Sequence, residues 1–331
     1  MSQNCRKLGL LCTLFLVLPL CIVLIPVVLV DFQNSGVFVD ALSSRNKKDA
    51  TEQSNIKVRV AFSNQQTTIT VPLEAYVRGV VAAEMPADFE LESLRAQAMA
   101  ARTYIYSRVK NNQATVTGTV KDQVYATDEM LKKKWGIQYQ QNLAKVNTAV
   151  RSTNGKIITY QNKPIYAAFF STSNGYTENS EDYFKQPYPY LRSVSSAWDK
   201  QSPKFIKTKT LSIVSIVNKL EKYTGQKLSA TALSKSGSIK IINKTIGKRI
   251  LQIKIGDRVF TGRQVREALG LASSDFSWKQ RGSRITFTTY GFGHGVGMSQ
   301  WGANLLAKQG KTAEEIIAHY YQKVQIKNIK N

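Results

Sequence analysis

Past its first 21 residues the sequence has no cysteine: all three, Cys5, Cys12 and Cys21, fall at the start of a 331-residue chain. The rest of the chain therefore forms no disulfide and no thiolate metal site. Histidine is nearly as scarce, with only His294 and His319, which excludes a histidine-rich metal centre. Acid is scarce too. The chain has 22 Asp and Glu against 46 Lys and Arg, a formal net charge of +24. That exceeds what solubility needs and points to an anionic partner. There is no GxSxG elbow for a serine triad, so one would have to join His294 to Ser299 or a distant serine. No internal repeat is visible.

What is present begins with an uncharged run from Leu8 to Val30 behind Arg6 and Lys7. It is long enough for a spanning helix of about 20 residues. The charge placement leaves the amino terminus inside the cell and the remainder outside. A cleaved signal peptide, with a site near Val39-Asp40-Ala41, is the alternative, but the apolar run exceeds the usual h-region of about 7–15 residues. An exported basic domain meets cell wall or membrane surface rather than nucleic acid, so no nucleic-acid partner is expected. Residues 31–55 are polar and unpatterned and read as a tether. The main domain spans 56–331, and a change of texture over about 205–284 marks an inserted α+β subdomain. Interleaved helices and strands, too irregular for a Rossmann sheet or a TIM barrel, give an α+β fold.

Alternation predicts two strands in "IKVRVAF" and "TTITV". A helix opens after Pro72, puts Leu73, Val77, Val80 or Val81 and Glu84 on one face, and stops at Pro86. A second helix, from about Glu90 to Arg108, aligns Leu94, Ala98, Ile105 and Val109, with Arg102 inside the stripe. A third is expected from about Asp128 through Val150, and "KIITY" with "IYAAFF" as a hairpin about QNKP. Thr312 and Glu315 form a capping-box pattern ahead of the last helix.

Two charges, Glu84 and Arg102, thus point toward packed regions. Glu84 is either a rim carboxylate with a basic partner or an acid whose pKa is raised by burial and by the negative helix end. The second would equip it to protonate a leaving oxygen. Arg102 either neutralises Glu84 or holds a substrate carboxylate or carbonyl. The alternate glycines of "GFGHGVG" bring His294 up on a loop lining a cleft, with Gln300 as a further donor. The segment lacks the order and the following lysine of a phosphate loop. His319 reads as a packed helix histidine. Trp198, in "SSAWDK", either stacks on a sugar or covers the core.

Together "VPLEAYVRGVVAAEMP", "LRAQAMAARTY", "FFSTSNGYT", "SSAWDK" and "GFGHGVGMSQWGANLLAKQG" resemble the SpoIID/LytB family of peptidoglycan lytic transglycosylases, from about residue 56 to the end. The resemblance implies helices and antiparallel strands around a glycan-binding cleft. It implies cleavage of the β-1,4 bond between N-acetylmuramic acid and N-acetylglucosamine in peptide-stripped strands during engulfment at the sporulation septum. By resemblance the partners are the cell membrane, the sporulation amidase SpoIIP and the membrane protein SpoIIM. Glu84 becomes the catalytic acid. Arg102, Ser171, Thr172, Ser173, Trp198, Lys200, His294 and Gln300 become expected substrate contacts. Relatives with histidine and cysteine near "FFSTSNGYT" have a place for zinc, where this chain has Phe169, Phe170, Ser171, Thr172 and Ser173. No metal and no cofactor are expected. A noncatalytic wall-binding module and a hydrolase using a second carboxylate (Asp88, Glu178, Glu181 or Asp199) are the rivals.

Overall fold

Pro72 closes one element and opens the next. Strands Lys57–Phe62 (β1) and Thr67–Pro72 (β2) pair antiparallel, from Lys57↔Pro72 to Phe62↔Thr67, as their alternation requires. Helix Leu73–Glu84 (α1) follows at once, with Leu73, Tyr76, Val77, Val80 and Val81 buried. It ends because Met85 precedes Pro86 and is held extended, at φ −114° and ψ 145°. These elements belong to a computed structural model that describes residues 56–62, 67–110, 115–119 and 121–329. The expected anchor (1–30) and tether (31–55) lie outside these residues. No helix among the described residues is long and apolar enough to cross a membrane.

Helix Leu91–Lys110 (α2) is the central beam, because its two faces serve two apolar clusters. Leu94, Ala98, Ala101 and Ile105 pack with α1, while Ala96, Met99 and Ala100 pack with the C-terminal elements. Thr115–Thr117 (β3) joins β1 in parallel. The single helix expected from Asp128 is two: Asp128–Trp135 (α3) and Tyr139–Ser152 (α4), separated by a 3₁₀ turn at Gly136–Gln138. Gly136 takes φ 52° and caps α3 by donating its N–H to Lys132 O.

Lys156–Tyr160 (β4) and Lys163–Pro164 (β5) form a tighter hairpin than expected, turning at Gln161 and Asn162, both at positive φ, so that its second strand falls within QNKP rather than in IYAAFF. The predicted second strand does not run on, however. Phe169–Phe170 (β6) leaves the hairpin and pairs in parallel with Met298–Ser299. Short helix Ser180–Phe184 (α5) follows.

Between residues 206 and 290 lie Ile206–Ser212 (β7), Ile213–Thr224 (α6), Ala230–Ser234 (α7), Ile239–Lys244 (β8), Ile250–Ile255 (β9), Arg258–Thr261 (β10), Gly262–Leu269 (α8), Phe276–Arg281 (β11) and Arg284–Tyr290 (β12). They form two three-stranded sheets, β10-β9-β8 and β11-β12-β7, about an apolar cluster that includes Ile216, Leu220, Ile253, Val265, Leu269 and Phe287. Met298–Ser299 (β13), Gln300–Lys308 (α9), Ala313–Tyr320 (α10) and Gln325–Asn328 (β14) complete the chain. The expected capping box of Thr312 and Glu315 starts α10, and β14 returns to β4. The fold is mixed α+β with several small sheets. Among the described strands the pairings are antiparallel except for β1 with β3 and β6 with β13.

Candidate active site

Glu84 is the last residue of α1, and three separate pieces of chain close around it. Residues 121–127 run along the helix, and Val124 N–H donates to Glu84 Oε1 at 2.9 Å. Gly79 allows this approach: Ala126 N–H donates to Gly79 O, and a Cβ on Gly79 would sit 2.3 Å from the Tyr125 ring. Helix propensity alone favours Gly→Ala by roughly 1 kcal/mol. Gly79→Ala is nevertheless expected to destabilise the protein and to displace Val124 from Glu84. A urea midpoint equal to or above that of wild type would contradict this.

Lys134, from α3, donates to Ala82 O and Ala83 O at 3.1 and 3.3 Å, so it occupies the last carbonyls of α1. The helix-end contribution expected for Glu84 is thereby offset. Burial is what pushes the Glu84 carboxyl above its usual range, against the Val124 hydrogen bond, the neighbouring Gln300 side chain and the Lys134 charge.

The opposite wall joins two motifs whose paired residues lie 120 to 130 positions apart. Thr172 and Phe292 exchange backbone hydrogen bonds, Met298 N–H donates to Ala168 O, and Trp301 N–H donates to Ser171 O. The loop holds this course because Gly291, Gly293, Gly295 and Gly297 all take positive φ. A Cβ on Gly297 would lie 2.1 Å from Ala168 O. His294 sits on this loop among Phe170, Tyr183 and Phe184, with ring centroids 5.4–5.6 Å away. Burial, reinforced by Arg266 and Arg249, pushes its pKa down to about 3. Its Nδ1 accepts from Val296 N–H, which leaves the proton on Nε2. His294 is therefore neutral at working pH, with the Phe169 backbone as its other hydrogen-bond neighbour.

These walls enclose a cleft of about 900 Å³. Glu84, Ser171, His294 and Gln300 all line it, together with Tyr104, Tyr166, Asp122, Tyr183, Arg263, Arg266 and Glu267, none of which the sequence singled out. Gln300 is only 6% exposed. Its Nε2 is buried with no hydrogen-bond partner among the described residues. Burial alone would raise Asp122, but donors Thr117 N–H, Thr117 Oγ1 and Tyr104 OH, with the Arg108 charge, hold its carboxyl below the usual range.

Five of the expected contacts lie elsewhere. Arg102 is fully buried and reaches neither Glu84 nor the cleft. Its Nε and Nη2 grip the two oxygens of Glu74 at 2.7 and 2.6 Å, a geometry that leaves the fork no free edge for substrate. Thr172 and Ser173 are buried and bond inward, Thr172 Oγ1 with Ser202 Oγ and Ser173 N–H to Asp199 Oδ2. Trp198 packs on His319 at 5.2 Å, and Lys200 is exposed away from the cleft. His319 is a packed helix histidine, hydrogen-bonded to Ser195 O.

The proposed second carboxylates are engaged or distant as well. Asp199 is buried and also accepts from Ser299 Oγ and Ser196 Oγ. Glu178 is buried against Arg249, Glu181 pairs with Arg192, and Asp88 is exposed outside the cleft. No three metal-ligating side chains cluster among the described residues.

The molecule is thus an α+β protein with a cleft lined by a partly buried glutamate whose pKa is raised. Residues 62–160 match the family described as SpoIID, stage II sporulation protein. Stage II sporulation protein D of Bacillus subtilis (strain 168) is 44% identical over 98% of this chain and 96% of its own length. The protein of the same name from Bacillus amyloliquefaciens is 46% identical over 86% of this chain and 82% of its own. The amidase enhancer of Bacillus subtilis (strain 168) is 27% identical over 74% of this chain but only 39% of its own length. The chain belongs to the SpoIID family of stage II sporulation proteins.

Proposed function

We propose that the protein is a lytic transglycosylase acting on peptide-free glycan strands, with Glu84 as its single acid and base. What carries the reading is that burial raises Glu84 and so equips it as the acid, while the oxygens of the other cleft carboxylates, Asp122 and Glu267, already accept from donors within the protein. A hydrolase normally needs two available carboxylates flanking the bond. Here one suffices, because the muramyl C6 hydroxyl replaces water.

The Glu84 proton passes to the glycosidic oxygen as the C1–O4 bond breaks, and the N-acetylglucosamine end leaves as an alcohol. The C6 oxygen then bonds to C1, its proton returns to Glu84, and a 1,6-anhydromuramyl end remains. Tyr104, Tyr166, Tyr183 and Phe184 offer faces and edges for the sugars. Neutral His294 forms part of the wall beside them. In the same reading the protein works outside the cytoplasm from a membrane anchor at the sporulation septum, with SpoIIP and SpoIIM as partners.

Incubation of the protein with peptide-free strands should release 1,6-anhydro ends, identified by product mass. Free reducing ends would move the assignment to hydrolysis, with Asp122 as the second carboxylate. Binding without any product would make the protein a wall-binding module. A chelator is expected to leave the rate unchanged, and loss of activity restored by zinc would overturn the metal-free scheme.

A further inference from the structure

We infer that Arg266 is the residue through which this cleft selects glycan whose muramyl D-lactyl group ends in a free carboxylate. The inference rests on the proposed glycan substrate and adds the residue that reads its charge. Arg266 projects from α8, whose capping box of Thr261 and Gln264 fixes the start of the helix. It is half-buried in the cleft wall. Its Nε donates to Ala272 O at 3.2 Å and its Nη1 to Tyr183 OH at 3.1 Å. The guanidinium is thus oriented on two sides, while Nη2 has no hydrogen-bond partner among the described residues.

The natural counter-ion, Glu267, is committed elsewhere. Its Oε1 accepts from Arg263 Nε at 3.0 Å and from Tyr183 OH at 2.9 Å, and its Oε2 accepts from Tyr223 OH. Arg263 itself lies 4.4 Å above the Tyr183 ring. No other carboxylate among the described residues pairs with Arg266, and neighbouring His294 is neutral. Lys121, the remaining cation of the lining, is exposed. Arg266 is therefore an oriented, partly desolvated positive charge that still wants an anion.

A guanidinium fork prefers a planar carboxylate, to which it donates charge-assisted hydrogen bonds. A muramyl residue carries such a group on its lactyl ether once no peptide is attached. When the carboxyl is tied up as an amide, the charge is gone and bulk is added at the same place. Arg266 would then be left half-buried and unpaired.

The test uses the full chain with Glu84→Gln to prevent turnover, titrated calorimetrically with two forms of one MurNAc-GlcNAc tetrasaccharide. One has free lactyl carboxylates and the other has them capped as methylamides. The free acid should bind about tenfold or more tighter. Adding Arg266→Gln should abolish that preference while leaving the amide's affinity within about twofold, and Arg266→Lys should restore part of it. Equal weakening of both ligands would mean a purely structural arginine, and a preference that survives Arg266→Gln would place the selection elsewhere. Either result overturns the inference without touching the proposed reaction. If neither ligand binds and wild type cuts no strands, the glycan reading falls and the inference falls with it.

Discussion

Glu84→Gln should fold and bind glycan like wild type, yet cut strands roughly 10²–10⁴-fold more slowly, the usual loss when a positioned proton donor is removed. Glutamine keeps the shape of the side chain and can still accept from Val124 N–H, so the loss isolates proton transfer. Wild-type pH dependence should carry the same signature. Because burial raises the Glu84 pKa, the acid stays protonated to a higher pH than an ordinary glutamate, and the rate should fall only above that raised value.

Stability should move in a related way. A folded-state pKa above the unfolded one makes Glu84 favour the fold at low pH. That advantage is complete below the unfolded value of about 4.3 and is lost as pH rises through the folded one. At neutral pH, Glu84→Gln should therefore unfold at higher urea than wild type. Undiminished cleavage by the variant would remove Glu84 from the reaction. A variant less stable than wild type at pH 7 would contradict the burial argument.

The largest stability loss is expected at the Arg102–Glu74 pair. The Arg102 side chain is 0% exposed and that of Glu74 12%, and the guanidinium also donates to Lys156 O and Val150 O. It thus ties α1, α2, α4 and β4 together. Glu74→Ala leaves the buried cation without its counter-ion, which should cost about 3–5 kcal/mol. Glu74→Leu combined with Arg102→Leu should recover much of that, because no charge is then stranded. Urea unfolding of the two single variants and the pair decides it. Single variants within about 1 kcal/mol of wild type would mean that water reaches and compensates the arginine.

Local rules make much of the framework legible in the sequence. Pro72 and Pro86 bounded α1, apolar spacing found α2, and Thr312 with Glu315 marked α10. Those rules missed where one residue plays two parts. Gly136 stands inside an otherwise helical pattern and ends α3 by entering the left-handed region. Ile165 to Phe170 is a short apolar run like that of a buried strand, but its end is captured by residues 298–299.

In the site, Glu84, Ser171, His294 and Gln300, named from the sequence, all line one cleft. Arg102 was found on the correct stripe with the wrong partner, since Glu74 faces it across a helix packing that spacing within α2 does not encode. Asp122, Tyr104, Tyr166 and Arg266 carry no local signal, because only the meeting of distant segments makes them neighbours. Trp198 stood in a motif that serves as a lock: Asp199 beside it holds the 173, 196 and 299 positions together.

The acid lies in the first third of the chain, but its enclosure is finished by the last. Gln300 stands beside Glu84, Asn304 Oδ1 accepts from Glu90 N–H, and Ala313 N–H donates to Glu92 Oε2. An incomplete chain ending before residue 300 would leave Glu84 without one wall of its cleft, and with less of the burial that raises its carboxyl. Under the proposed function, the capacity to cut is thereby tied to completion of the polypeptide.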